Sequence, residues 1–375
     1  MLNVIEILRN LIQIDSSNPP GNEKHMVDYI LTYFPGYKNT KVITHDEKRA
    51  SLVIDIPGIT NQVLAFVGHL DTVPVDISKW TYNPFSAEIV NNAMYGRGTS
   101  DMKSGLACMI CAASYFINNA IRPKYTIRLV FTADEECNGT GIKYLINEGF
   151  FEDVDFLILP EPTDEAIVLK EKGSLWLRFL VHGKSSHGSQ PELGINAIEK
   201  LYELIEHIKP IILTGEMDSL LGKSSLAINK IQGGKRVNIT ADFCEAEVDI
   251  RTLPSLNHGY ILDYIDDQIK KIEEKNKGLN IALEILNNRP PLMTEEKNEL
   301  VVELVKTMEN LGLSVEFKGV NYFTDASLVL SKYDIPFIIY GPGKINQCHI
   351  ENEYVLLSAV RRVLNVYLEL LRPKN

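Results

Sequence analysis

No long basic block occurs anywhere in these 375 residues, and acids outnumber bases, 49 Asp and Glu against 38 Lys and Arg, for a formal net charge of −11. A nucleic-acid partner would call for a positive footprint, so that class of function is excluded. Nor does any uninterrupted apolar stretch reach the ~20 residues that cross a bilayer, so no membrane partner is expected. The N-terminal stretch MLNVIEILRNLIQIDSSNPPGNE lacks the basic start and apolar middle of a secretion signal. A cytoplasmic location is the resulting expectation. Cysteine is sparse and odd in number, five in all, with no small-scaffold spacing. Cys108 and Cys111 form a C-x-x-C inside the apolar helical run LACMICAASYF, which indicates core packing, since a redox pair usually opens a helix beside a strand. Met26, Met94, Met102 and Met109 are scattered and form no soft-metal box. The GxG of YGRGTS does not extend to a full GxGxxG, so dinucleotide binding is not expected.

What is present is an ordinary globular composition, 45% hydrophobic and 23% charged, in a chain long enough for roughly two domains of ~150 residues. Val4, Ile5, Leu8, Leu11 and Ile12 fall on one helical face, and SSNPPGNE breaks that helix. The short apolar strands SLVIDIPG, VLAFVGHLD, YTIRLVFTADEE and DFLILPEP follow, separated in places by helical segments near 104–119 and 140–148. Such alternation indicates an α/β domain with a mixed, mostly parallel sheet. Near Gly173 the texture changes to strand, helix, two strands, helix and strand, the order of the split ferredoxin-like α+β unit. A helix at 297–311, the strand IPFIIYG and a last amphipathic helix then restore the α/β texture. The expected organisation is one α/β domain, 1–172 and 288–375, carrying an inserted ferredoxin-like domain, 173–287.

Polar residues gather where the strands end. Residues 125–141, YTIRLVFTADEECNGTG, close an apolar run with three consecutive acids. Adjacent carboxylates repel and are costly to desolvate unless a cation or proton offsets them; a solvated strand end or a helix N-terminus would also accommodate them. Other strand ends contribute similar groups. His69 and Asp71 lie two apart on one side of an extended segment, Asp101 lies between a glycine-rich turn and a helix, Glu161 follows another strand, and His349 precedes the last helix. The carboxyl ends of parallel strands are where open α/β sheets bind ligands. Two imidazoles and several carboxylates, without cysteine, suit zinc, cobalt or manganese, and a two-metal site needs one bridging carboxylate. His25, His45, His182, His207 and His258 have no such neighbours in the sequence and read as surface or satisfied core residues.

The ordered motifs HLDTVP, YGRGTSDMKSG, TADEE, PEPT and GPG…H, with SHGSQPELGINAI and VDIR in the insert, resemble the dizinc amidohydrolase family of acetylornithine deacetylase, succinyl-diaminopimelate desuccinylase and carboxypeptidase G. The similarity runs along nearly the whole chain from SSNPPGNE onward. It implies a catalytic α/β domain, a ferredoxin-like domain acting as lid and homodimer interface, and two divalent metal ions, most often zinc. By the resemblance, His69 and Glu161 hold the first metal, Glu136 and His349 the second, and Asp101 bridges them. Asp71 would orient the His69 imidazole with its carboxylate. Glu135 would be general base and acid toward a water held between the metals. In the insert, His187 would reach a neighbouring subunit's site to stabilise the oxyanion, Arg251 would hold the substrate carboxylate, and Asn238 would assist it. Ser104, Cys137, Asn138 and Cys348 depart from the common pattern without removing a ligand.

The implied reaction is hydrolysis of the amide of an N-acyl amino acid. A di- or tripeptidase or carboxypeptidase would use the same site, and a non-catalytic small-molecule binding protein is the alternative outside enzymes. For Arg251, a salt bridge to Asp249 or Glu247, which share its strand face, stands beside the substrate-binding role.

Overall fold

The computed structural model describes residues 2–373. The chain divides into two compact units. The first comprises the residues through Leu169, Thr294–Lys318 and the chain from Thr324 on; the second comprises Lys170–Met293 with Gly319–Phe323. That last short segment, assigned by sequence to the α/β domain, groups with the insert, where Phe323 packs edge-on against Trp176 and under the Arg289 guanidinium.

In the first unit a mixed sheet runs in the order Thr40–Thr44, Ala50–Ile56, Thr126–Thr132, Val63–His69, Phe156–Leu159, Phe337–Ile339, Ile167–Glu171. Its central strands, Thr126–Thr132, Val63–His69, Phe156–Leu159 and Phe337–Ile339, are parallel to one another, and the flanking pairs are antiparallel. Val63–His69 is buried along its whole length, as expected of a parallel strand covered on both faces. The helices Val4–Gln13, Lys103–Asn118 and Leu357–Leu370 pack on one another and share a core with Leu64, Phe66, Ile158 and Ile338 of the sheet. Cys108 and Cys111 are buried in the Lys103–Asn118 helix as free thiols, packing residues as the sequence indicated.

Two glycines set the approach of this helix and of the C-terminal loop. A Cβ on Gly105 would lie 2.0 Å from the Pro160 carbonyl oxygen, so only glycine lets the helix pass against the backbone beside Glu161. A Cβ on Gly343 would lie 2.3 Å from the Ser100 carbonyl oxygen, where the late loop crosses the turn before Asp101. A small antiparallel sheet, Tyr354–Leu356 with Ala93–Tyr95 and Glu88–Val90, fastens the same loop to the same turn.

The second unit is a four-stranded antiparallel sheet in the order Ser225–Gly233, Phe243–Thr252, Gly173–His182, Asn280–Arg289, with helices Ala197–Ile212 and His258–Lys275 packed against it. The β-α-β-β-α-β order and this strand arrangement are ferredoxin-like. Strict alternation of half-buried and buried residues along Phe243–Thr252 shows one covered face. Among the described residues, no helix is long and apolar enough to cross a membrane.

Candidate metal centre

Because the four central strands are parallel, their carboxyl ends share one edge of the sheet. His69 is the last residue of its strand; Asp134–Glu136 follow Thr132, Glu161 follows Leu159, and the loop to His349 follows Ile339. Two donor clusters form there, His69 with Asp101 and Glu161, and Asp101 with Glu136 and His349, each with ligand atoms within 4.8 Å of one another. The His69 Nε2 lies 3.1 Å from Asp101 Oδ1 and 3.8 Å from Glu161 Oε1. The His349 Nε2 lies 3.3 Å from Asp101 Oδ2 and 3.1 Å from Glu136 Oε2. Asp101 thus turns one oxygen to each cluster. Glu135 joins neither, and its carboxyl feels the charges of His69, Asp325, Glu136 and Glu161.

The role expected of the Asp71 carboxylate needs correction. The His69 Nδ1 lies 2.9 Å from the Asp71 main-chain carbonyl and 3.8 Å from the Asp71 carboxylate. A carbonyl only accepts, so Nδ1 carries a hydrogen, and Nε2 is the ring nitrogen turned to the donor cluster. The Asp71 carboxylate instead accepts the Glu135 and Glu136 amides, both at 3.1 Å, and the Asn18 side-chain amide at 2.8 Å. The turn after Thr132 leaves those amides without ladder partners, and a buried carboxylate satisfies both. The third acid, Asp134, is buried and turns the chain with a φ of 68°. Its carboxylate bonds Arg49, Asn18 and Thr140 and is not among the metal donors.

Two positioning residues escaped the sequence reading. The fully buried Glu353 accepts from Arg97 Nη1 at 2.7 Å, Gly98 N at 3.0 Å, Ser100 N at 2.7 Å and Asp101 N at 3.0 Å, so it holds the turn that presents Asp101. Only its place four residues past His349 marks it in the sequence. The buried Lys103 donates to the carbonyls of Leu11 at 3.1 Å and Ile14 at 2.8 Å, tying the end of the first helix to the helix after Asp101.

Burial pushes Glu135, Glu161 and Glu136 above the usual carboxylate range, and neighbouring acids add to it. Burial would raise Asp101 too, but hydrogen bonds from His349 and His69 outweigh it and hold this carboxyl low. His349, hydrogen-bonded to Asp101 and Glu136, is pushed up to about 10. Carboxylates crowded to this degree demand positive charge. An all-nitrogen and oxygen donor set with one shared carboxylate fits a pair of divalent cations. Cys348 is not part of that set: burial drives its thiol far up, and its Sγ contacts the Lys344 carbonyl at 3.5 Å.

The remaining expected residues belong to the second unit. His187 is exposed, and its Nδ1 accepts from Ser189 N at 3.2 Å and contacts Ser189 Oγ at 2.8 Å, which places the ring hydrogen on Nε2. The Asn238 carbonyl accepts from Gly188 N at 2.8 Å, so the His187 and Asn238 segments run side by side. The Arg251 fork is paired with Asp249 at 2.9 and 3.1 Å, and its Nη1 reaches the Asn321 carbonyl at 3.3 Å. Of the two acids weighed for that pairing, Glu247 instead binds Arg178 and Lys230.

Residues 65–372 match the model of peptidase family M20/M25/M40. The chain belongs to that family. A probable succinyl-diaminopimelate desuccinylase of Staphylococcus aureus is 28% identical over 97% of this chain and 96% of its own length. An uncharacterized metallohydrolase of Methanocaldococcus jannaschii is 30% identical over 98% of both chains. Among solved structures, an M20 family metallo-carboxypeptidase from Sulfolobus solfataricus shares the fold at a TM-score of 0.77, with 17% identity over 99% of both chains. This M20 protein is accordingly a metal-dependent hydrolase of amide bonds.

Proposed function

We propose that this M20 hydrolase removes the acyl group from an N-acyl amino acid, in the manner of a deacetylase or desuccinylase. The observation that carries the reading is the sharing of Asp101 between two donor clusters, with Glu135 outside both. His69, Asp101 and Glu161 would hold one cation, and Asp101, Glu136 and His349 the other. Zinc is the ion we favour for this borderline donor set, with cobalt or manganese as substitutes. Bound there, the pair supplies Lewis acidity, offsetting charge on the scissile carbonyl and making water a better acid. Glu135 takes the proton from the attacking water and delivers it to the leaving amine. A carboxyl raised by burial is better matched to that task than an ordinary glutamate.

The first unit is the catalytic domain and the second the lid and dimerisation domain. His187, with its hydrogen on Nε2, donates to the developing oxyanion from the partner subunit. Arg251 binds the substrate carboxylate, assisted by Asn238, with Asp249 holding the fork in register until substrate arrives. The outer strand Ser225–Gly233 is exposed along nearly its whole length and carries Ile228 and Ile231, 41% and 58% exposed. A bare apolar edge favours pairing with a second copy, which supports a homodimer. We place the enzyme in the cytoplasm, with a small acylated amino acid or short peptide as its partner. The exopeptidase reading keeps the same centre and is favoured by the fold shared with a metallo-carboxypeptidase.

Metal analysis together with turnover of N-succinyl-L,L-diaminopimelate, N-acetyl-L-ornithine, dipeptides and tripeptides tests this. Fastest turnover of an acylated amino acid is the expected result. A preference for peptides selects the exopeptidase, and bound metal without turnover selects a binding protein.

A further inference from the structure

We propose that Asn18 is a positioning residue for catalysis, acting with Arg49 to hold the turn that presents Glu135 and Glu136. This rests on the assignment of Glu135 as general base. Asn18 is 2% exposed and lies 53 and 116 residues from the two acids it joins. Its amide nitrogen donates one hydrogen to Asp71 Oδ2 and the other to Asp134 Oδ1, each at 2.8 Å. Its oxygen accepts from Arg49 Nη2 at 2.6 Å. Two acceptors on one side and a guanidinium on the other leave a single sensible orientation for the amide. Arg49 also pairs with Asp134 and donates to the Pro20 carbonyl at 3.0 Å. The backbone is held as firmly, with Asn18 N on the Thr72 carbonyl at 2.8 Å and Thr72 N on the Ser16 carbonyl at 3.1 Å.

The two acids bracket the catalytic pair. Asp134 immediately precedes it and sets the left-handed turn, while Asp71 receives both glutamate amides. Without a shared donor, two buried carboxylates side by side would repel, and the turn they anchor would lose its fixed direction. Asn18 supplies that donor as a neutral group. The same Asp71 turns its carbonyl to His69, so one clamp governs the orientation of an imidazole and of both glutamates.

Two measurements decide this. In metal-free protein, Asn18→Ala should speed amide hydrogen exchange of residues 133–139 by about tenfold or more, leaving the strand Val63–His69 unchanged. In the metal-loaded enzyme, with the best substrate of the panel above, the same variant should lower kcat about tenfold, with KM within about twofold and both metals retained. Added to Glu135→Gln, it should cost less than about twofold, because the group it positions is then absent. Asn18→Asp keeps the side-chain shape while removing the donor, and serves if the alanine variant does not fold. Exchange that rises throughout the first unit or not at all in 133–139, loss of metal, or a full tenfold loss in the Glu135→Gln background would each overturn the proposal. An unimpaired Glu135→Gln would instead overturn the general-base assignment, with the exchange measurement still deciding the clamp.

Discussion

Asp134, Glu135 and Glu136 are adjacent in sequence yet have three different surroundings. Asp134 is neutralised by Arg49, Glu136 lies against His349, and Glu135 has a fixed backbone but no donor cluster of its own. Glu135→Gln should therefore keep both metals and lower kcat by at least ~10²-fold, as metal analysis beside steady-state kinetics will show; loss of metal would mean that the two glutamates had been interchanged. Glu23 offers a second test at this scale. It is fully buried, and burial with the nearby Asp71 charge raises it from 4.5 to about 7. Between those values the folded protein keeps a proton that the unfolded chain has released. The stability from this group is thus complete below about 4.5 and lost as pH rises through about 7. Glu23→Gln, which cannot ionise, should raise the thermal midpoint at pH 8 relative to wild type, and the difference should close by pH 5. An equal difference at both pH values would show that Glu23 does not titrate in this window.

At the scale of elements, the loop between Gly173–His182 and Ala197–Ile212 presents His187, and the end of Phe243–Thr252 presents Arg251. If the loop completes the site of a partner subunit, mixing inactive His187→Ala with inactive Glu135→Gln subunits under exchange conditions should restore part of the activity; a verified heterodimer without activity would exclude that arrangement. If Arg251 binds the substrate carboxylate, that carboxylate must displace Asp249, and a two-point guanidinium–carboxylate contact would have to outweigh the ion pair. Amidating the substrate carboxylate should then cost about 10²-fold in kcat/KM, the scale of a lost charged pair. Arg251→Ala should impose a similar loss on the acid and little more on the amide. Equal hydrolysis of acid and amide by the wild type would show that Arg251 does not bind the substrate carboxylate.

For the molecule as a whole, the metal centre is both a catalyst and a source of stability. Removing the cations leaves the Asp101, Glu136 and Glu161 carboxylates to repel one another, with His69 and His349 among them. A site kept at a thousandfold excess over its Kd contributes about 4 kcal/mol, so dialysis against a chelator should lower the thermal midpoint by about 5 °C or more. Zinc or cobalt should restore it. A midpoint indifferent to chelator would argue against a metal pair in the folded enzyme.

The sequence by itself determined the elements and the polar residues that stand at the strand ends, because both are written locally. Apolar runs such as Val63–His69 give their period directly, and parallel strands necessarily bring His69, the Asp134–Glu136 turn and Glu161 to one edge. The tertiary structure alone decided how those groups are held. Asp71 meets His69 with its carbonyl, Asp134 finds Arg49, and Glu353 anchors the Asp101 turn across 252 residues of chain. Nothing in local pattern marks such partners. A buried carboxylate takes whichever donors the packed backbone leaves unpaired, and those are known only once the fold has closed around it.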